Sequence, residues 1–231
     1  MTDVLLIVGS PRPSGVSARY ADELALQLDK PDVRVRQWRM AESSVRGCTG
    51  CGVCRHYVAR RSAEKDPAPS RPYCVIRDDM LRLYALLDAA DEVHVVSPVY
   101  FSGPPGQFKC VLDRLQPYWE MRCGPAAQPR NPHEVKRPLT LHVIGAGGDP
   151  YGFVPLETIV RSAFGAAGFT LTATVDCIGW GQPDSEQGKM IFRESADHDE
   201  MPQQSDKECN KPETLRQRVE INDTEGASDE Q

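Results

Sequence analysis

The sequence predicts an α/β protein built on a doubly wound, five-stranded parallel sheet in the order 2-1-3-4-5. Three observations predict it: short β-branched apolar runs recur along the chain, segments of helical period separate them, and the two alternate throughout. With 231 residues, 40% of them hydrophobic and both charge signs interspersed, the chain can bury one sizeable core.

The first run, residues 4–9 (VLLIVG), is a short buried strand; residues 17–29 follow with Tyr20, Leu24 and Leu28 at helical spacing. Residues 33–38 alternate as a second strand does. Residues 78–89 (DDMLRLYALLDA) read as a helix and 92–97 (EVHVVS) as the third strand. A helix over 105–115, a strand over 139–144 (LTLHVI), a helix over 156–167 and a fifth strand over 170–178 complete the alternation. Two stretches break the rhythm. Residues 55–73 are basic, contain three prolines and lack an apolar period, so they read as a surface excursion. From Met190 onward, 12 acidic residues stand against 5 basic ones with few large apolar groups, the composition of a disordered tail. The expected organisation is one domain over 1–185, with an insertion over 47–76, and an acidic tail over 190–231.

The tail accounts for the formal charge of −6, which leaves the body nearly neutral and argues against non-specific nucleic-acid binding. No charged leader precedes the first strand and no apolar run approaches the roughly 20 residues of a membrane span, so a cytoplasmic, non-membrane protein is expected. In a reducing cytosol, eight cysteines are seldom a disulfide framework, and the cluster GCTGCGVC points to metal or redox chemistry.

In an open α/β sheet, ligands sit beyond the carboxyl ends of the strands, where strand order reverses. The loop GSPRPSGVS, after the first strand, offers the hydroxyls of Ser10, Ser14 and Ser17, the guanidinium of Arg12, and glycines such as Gly15 whose amides can face a phosphate at a helix N-terminus. Its spacing is neither GxGxxG nor a P-loop. SPVYFSGPP, after the third strand, supplies the flat faces of Tyr100 and Phe101 on a proline-stiffened loop. GAGGDPYG, after the fourth, leaves backbone amides uncovered. Each alone is an ordinary βα turn; three at corresponding strand ends describe a planar ring with a phosphate.

These loops, together with GCTGCGVC, CVIRDDM and SPVYFSGPPGQFKCVLDR, resemble the NAD(P)H-dependent FMN reductase-like flavoproteins, and among them the iron-sulfur flavoprotein subgroup, over about residues 4–179. The resemblance implies a flavodoxin-like fold and bound FMN. It implies that Ser10, Arg12, Ser14, Gly15, Val16 and Ser17 hold the phosphate, with Val16, often Asn in the family, contributing only its backbone amide. Pro98, Val99, Tyr100, Phe101, Ser102 and Gly103 would line the isoalloxazine, and Gly145, Ala146, Gly147 and Gly148 would face its other edge. It also implies a homodimer or homotetramer.

C-x2-C-x2-C wraps three corners of a 4Fe-4S cluster while a more distant cysteine closes the fourth. Cys48, Cys51 and Cys54 supply the three, and by the resemblance Cys74, just before VIRDDM, supplies the last. The 19 residues between Cys54 and Cys74 exceed the subgroup's usual gap of a few. A tetrahedral zinc and a metal-free or redox-active set of thiols are the rival readings. Cys110, Cys123, Cys177 and Cys209 have no matching spacing. His94 and His142 lie in apolar strands and read as core histidines, and Lys109, Asp113 and Arg114 match the family's K-x3-DR pattern in a structural role.

The resulting expectation is an FMN-dependent oxidoreductase with a 4Fe-4S cluster and no side-chain catalyst. It would connect a small-molecule substrate to NAD(P)H or to a one-electron partner such as ferredoxin. A dehydrogenase of a small cyclic acid, of the aminodeoxychorismate type, a flavodoxin-like electron carrier and a redox or metal sensor stay open beside it.

Overall fold

A computed structural model of the chain describes residues 1–63, 74–127, 135–147, 149, 151–179 and 189–194. Its strands are β1 (Thr2–Val8), β2 (Val33–Arg39), β3 (Glu92–Pro98), β4 (Arg137–Gly145), β5 (Phe169–Ile178) and β6 (Lys189–Glu194). They form one sheet in the order β2-β1-β3-β4-β5-β6. The first five are parallel in the expected order. The sixth corrects the expected five: it pairs antiparallel with β5, Ala173 opposite Glu194 and Ile178 opposite Lys189. The stretch expected to be a disordered tail therefore begins inside the sheet, because the apolar triplet Met190, Ile191, Phe192 has a free strand edge to join. The remainder of that stretch, 195–231, lies outside the described residues.

The helices are α1 (Val16–Leu28), α2 (Val53–Ala63), α3 (Met80–Ala89), α4 (Gly106–Asp113), α5 (Gln116–Arg122) and α6 (Val154–Ala166). Two differ from expectation. The helix expected over 105–115 stops at Asp113, and α5 restarts after a turn with Pro117 in its first turn, where a missing N–H costs nothing. The start of the basic excursion folds as α2 although only Val58 of it is buried. The Ser62 hydroxyl donates to the Ala126 carbonyl at 2.9 Å, and the Arg55 guanidinium reaches Glu120 of α5 at 3.3 Å. Tertiary anchoring thus stands in for an amphipathic stripe.

Strand alternation sends two sets of side chains to opposite faces. Leu5, Ile7, Val93, Val95, Leu141 and Val143 pack with residues of α3, α4, α5 and α6. Leu6, Val8, Val96, Ile144 and Cys177 pack under Tyr20, Ala21 and Leu24 of α1. From β1 the chain moves outward to β2 and from β3 it moves the other way to β4, so the topological switch point lies between β1 and β3. No described helix is long and apolar enough to cross a membrane.

Candidate functional site

The loop after β1 is drawn against the sheet by the Gly9 amide, which donates to the Val96 carbonyl of β3 at 2.8 Å. Only glycine fits here: a Cβ on Gly9 would lie 2.5 Å from the buried Phe108 ring of α4. Ser10, buried, accepts the Arg12 amide on its hydroxyl at 3.2 Å, which turns the chain. Arg12 and Ser14 stand exposed above the turn. Gly15 caps α1 with no side chain over its first amides, and no acidic residue sits in the first turn. Uncapped amides, the helix dipole and a nearby guanidinium are features that suit an anion.

After β3, the Tyr100 and Gly103 amides and carbonyls pair reciprocally at 2.9 and 3.1 Å, closing a two-residue turn. Its central residues both have positive φ, +50° at Phe101 and +61° at Ser102. Such a turn prefers Asn-Gly, and each left-handed non-glycine residue costs on the order of 1–3 kcal/mol. The Ser102 carbonyl accepts the Leu156 amide at the start of α6 at 3.0 Å, which helps hold the strained turn in place. Ser102 is only 5% exposed, yet its hydroxyl has no hydrogen-bond partner. Phe101 is wholly exposed and Tyr100 partly so.

After β4, the Gly145 carbonyl accepts the Gly179 amide at 2.8 Å, and Gly147 runs close beside Ile178. Gly148 lies outside the described residues. The three expected loops thus flank the switch point. An orphaned buried hydroxyl, an uncapped helix start and a backbone pressed close by a glycine all suit a ring-and-phosphate cofactor.

A cavity of about 720 Å³ opens beside α2, α4, α5 and α6, and Cys48, Cys51, Cys54 and Cys74 all line it. The long gap between Cys54 and Cys74 does not separate them because the two flanks of the excursion are tied. The Ser44 amide donates to the Asp79 carboxylate at 2.7 Å and the Arg46 amide to Asp78 at 3.0 Å. Arg114 clamps both flanks from the core: Nη1 donates to the Arg46 carbonyl and Asp78 Oδ2 at 3.0 and 2.9 Å, and Nη2 to the Ile76 carbonyl and Asp78 Oδ1 at 3.3 and 3.1 Å.

Gly50 and Gly52, at φ +64° and +72°, fold the cysteine loop onto the start of α2. There the Val53 amide hydrogen-bonds to Cys51 and holds its thiol below the usual range. Burial pushes the Cys54 thiol up, and the charges of Glu120 and Cys48 add to this. No disulfide joins these thiols. Among the described residues no three His, Cys, Asp or Glu side chains converge on one point.

Residues 2–154 match the family described as NADPH-dependent FMN reductase. The chain belongs to that family. Among curated relatives of the chain, an iron-sulfur flavoprotein of Archaeoglobus fulgidus is 31% identical over 112 residues, 48% of the chain and 44% of the relative. Another, of Methanocaldococcus jannaschii, is 26% identical over 204 residues, 82% of the chain and 90% of the relative. The chain spans about half the length of the Archaeoglobus relative and of an iron-sulfur flavoprotein of Methanosarcina thermophila. These names support membership of the iron-sulfur subgroup. Two solved structures share the fold. RosB with a bound 8-demethyl-8-formylriboflavin-5′-phosphate has a TM-score of 0.54 at 12% identity, over 82% of this chain and 68% of that one. An NAD(P)H:quinone oxidoreductase from Methanothermobacter marburgensis has a TM-score of 0.52 at 12% identity, over 80% and 90%.

Sequence reasoning named the cysteines and the three loops but missed Asp78 and Glu120. Asp78 lay in view inside CVIRDDM; its partner Arg114, 36 residues on, is reached only through the fold. Glu120 is 3% exposed and accepts from Arg55 and Gln116 on the cavity wall.

Proposed function

We propose that this protein is an FMN-dependent oxidoreductase carrying a 4Fe-4S cluster on Cys48, Cys51, Cys54 and Cys74, and that it joins a small-molecule redox substrate to a one-electron partner. The observation that carries this reading is the gathering of all four thiols around one cavity despite the long insertion. When bound, FMN exchanges two electrons together or singly and the cluster exchanges one at a time.

The chain's residues supply the rest. Ser10, Arg12, Ser14, Ser17 and the amides of Gly15 and Val16 hold the phosphate. Pro98, Val99 and the Tyr100–Gly103 turn, with the Ser102 hydroxyl, line the ring, and Gly145, Ala146 and Gly147 offer amides to its far edge. Tyr100 and Phe101, exposed at the mouth, give a substrate or nicotinamide an apolar face on which to stack. The helix α4 begins just after the ring-lining loop, and its Lys109, Leu112 and Asp113 line the thiol cavity. Eight residues at 1.5 Å each make that helix about 12 Å long, so the two sites share one rigid element.

Anaerobically purified protein is expected to hold one FMN and about four irons and four sulfides per chain. Combining Ser10→Ala with Arg12→Ala removes charge-assisted hydrogen bonds worth about 1.5–3 kcal/mol each, so FMN affinity drops at least tenfold. Unchanged affinity overturns the phosphate assignment, and stoichiometric zinc in place of iron overturns the cluster. Mixing oxidised protein separately with NADH, NADPH, reduced ferredoxin and cyclic acids, while following flavin absorbance, identifies the donor. Reduction by protein donors alone, with no small molecule consumed, leaves an electron carrier.

A further inference from the structure

Arg114 is an arginine with one donor unused. A guanidinium has five N–H groups in a rigid fork. In Arg114 the Nη groups meet the Arg46 carbonyl, the Ile76 carbonyl and both oxygens of Asp78. Nε is buried without a partner in a side chain only 1% exposed. A buried charged donor left unpaired is costly, and native structures rarely leave one without a reason. Arg114 lines the cavity that the four cysteines line, so it is a buried cation on the wall of the cluster site. Cys74 packs against the core that holds Tyr84, whose hydroxyl donates to the Arg114 carbonyl, so thiol and guanidinium share one neighbourhood. The Arg114–Asp78 clamp also holds the backbone on both sides of the cysteine excursion, which fixes the arginine relative to Cys74.

We propose that Arg114 donates its Nε–H to a sulfur at the Cys74 corner of the cluster. This rests on the cluster reading above. The bond and the positive charge would both favour the more negative, reduced cluster. Hydrogen bonds to cluster sulfurs and local charge are established determinants of reduction potential. Arg114 would therefore raise the cluster's potential and leave the flavin's unchanged. Arginine does what lysine cannot here, because the Nη groups are occupied by the clamp while Nε remains for the sulfur.

The test uses the full-length holoprotein, labelled with ¹⁵N in arginine and reduced anaerobically, with pulsed EPR of the reduced cluster. Arg55, the other arginine on the cavity wall among the described residues, is replaced by Arg55→Lys so that it cannot supply the signal. A ¹⁵N coupling in this background, lost on adding Arg114→Lys, is the expected result, together with a lower cluster potential and an unmoved flavin potential. If Arg114→Lys fails to fold or load iron, the coupling in the Arg55→Lys background decides alone. Full iron content without coupling, or a coupling that survives Arg114→Lys, overturns the role of Arg114 and leaves the cluster standing. Absence of iron and sulfide from anaerobic protein overturns both.

Discussion

Two polar networks are buried on opposite faces of the sheet, and they are built on different logic. On the α1 face, Glu92 accepts from His94 Nε2 at 2.9 Å, His94 Nδ1 meets His142 Nε2 at 2.9 Å, and His142 Nδ1 meets the Tyr20 hydroxyl at 2.8 Å. With Glu92 ionised, one assignment satisfies every member: His94 carries its proton on Nε2, His142 on Nε2, and Tyr20 donates at the end. Every ring nitrogen is partnered, and neither histidine needs to be charged. On the other face, Arg114 and Asp78 are both charged and both buried, and one guanidinium N–H is left over. A closed network specifies packing; an open one leaves a buried donor to be accounted for, and here it stands beside a cavity lined with thiols.

Breaking the charged network carries the largest expected effect. Asp78→Ala leaves a buried guanidinium without its carboxylate and frees the Arg46 flank. A loss of about 3–5 kcal/mol in urea unfolding is expected, with a parallel fall in bound iron. Conversely, a variant as stable as the parent would mean that the clamp is not buried as described.

Breaking the histidine network costs less and shows itself in acid. His142→Leu strands His94 Nδ1 and takes away the Tyr20 hydroxyl's histidine partner, at about 1–3 kcal/mol near pH 7.5. Burial, helped by neighbouring His94, pushes His142 down to about 3 from an ordinary 6.5. Between those values the unfolded chain takes up a proton that the folded chain refuses. Stability contributed by neutral His142 is thus complete above pH 6.5 and is lost as pH falls, at up to about 1.4 kcal/mol per pH unit. Glu92, held low mainly by its bond to His94, acts in the same direction once the pH falls below its ordinary 4.5. Unfolding curves from pH 7.5 to pH 4.5 should show this slope in the parent and a shallower one in His142→Leu.

The smallest effect isolates burial from charge. Lys109 and Asp113 pair at 2.6 Å along α4, both well exposed. Lys109→Ala should change stability by no more than about 0.5 kcal/mol by the same measurement.

These networks also mark what the sequence could convey. Alternating apolar runs made β1 to β5 and their order legible, and the loops around Gly9, Tyr100 and Gly145 followed from their places at strand ends. The helix α2 was hidden because its residues carry no apolar stripe; its anchors, Ala126 and Glu120, lie more than sixty residues away. The strand β6 was hidden by its acidic surroundings. The histidines were legible as core residues, but their linkage across two strands was not, since it depends on register: His94 faces Thr140, two residues before His142 on the same face. Most of all, Cys74 was matched to the thiol loop by resemblance, whereas its approach to that loop rests on an arginine reachable only in three dimensions.

The antiparallel strand β6 covers Ala173–Ile178 of β5, which would otherwise be the rim of a parallel sheet. A chain trimmed at residue 188 to remove acidic residues would bare that rim's row of amides and carbonyls, which other chains can pair with. Shortening this protein for crystallisation or expression would therefore expose it to strand-mediated self-association, whereas a cut after Glu194 would keep its natural guard.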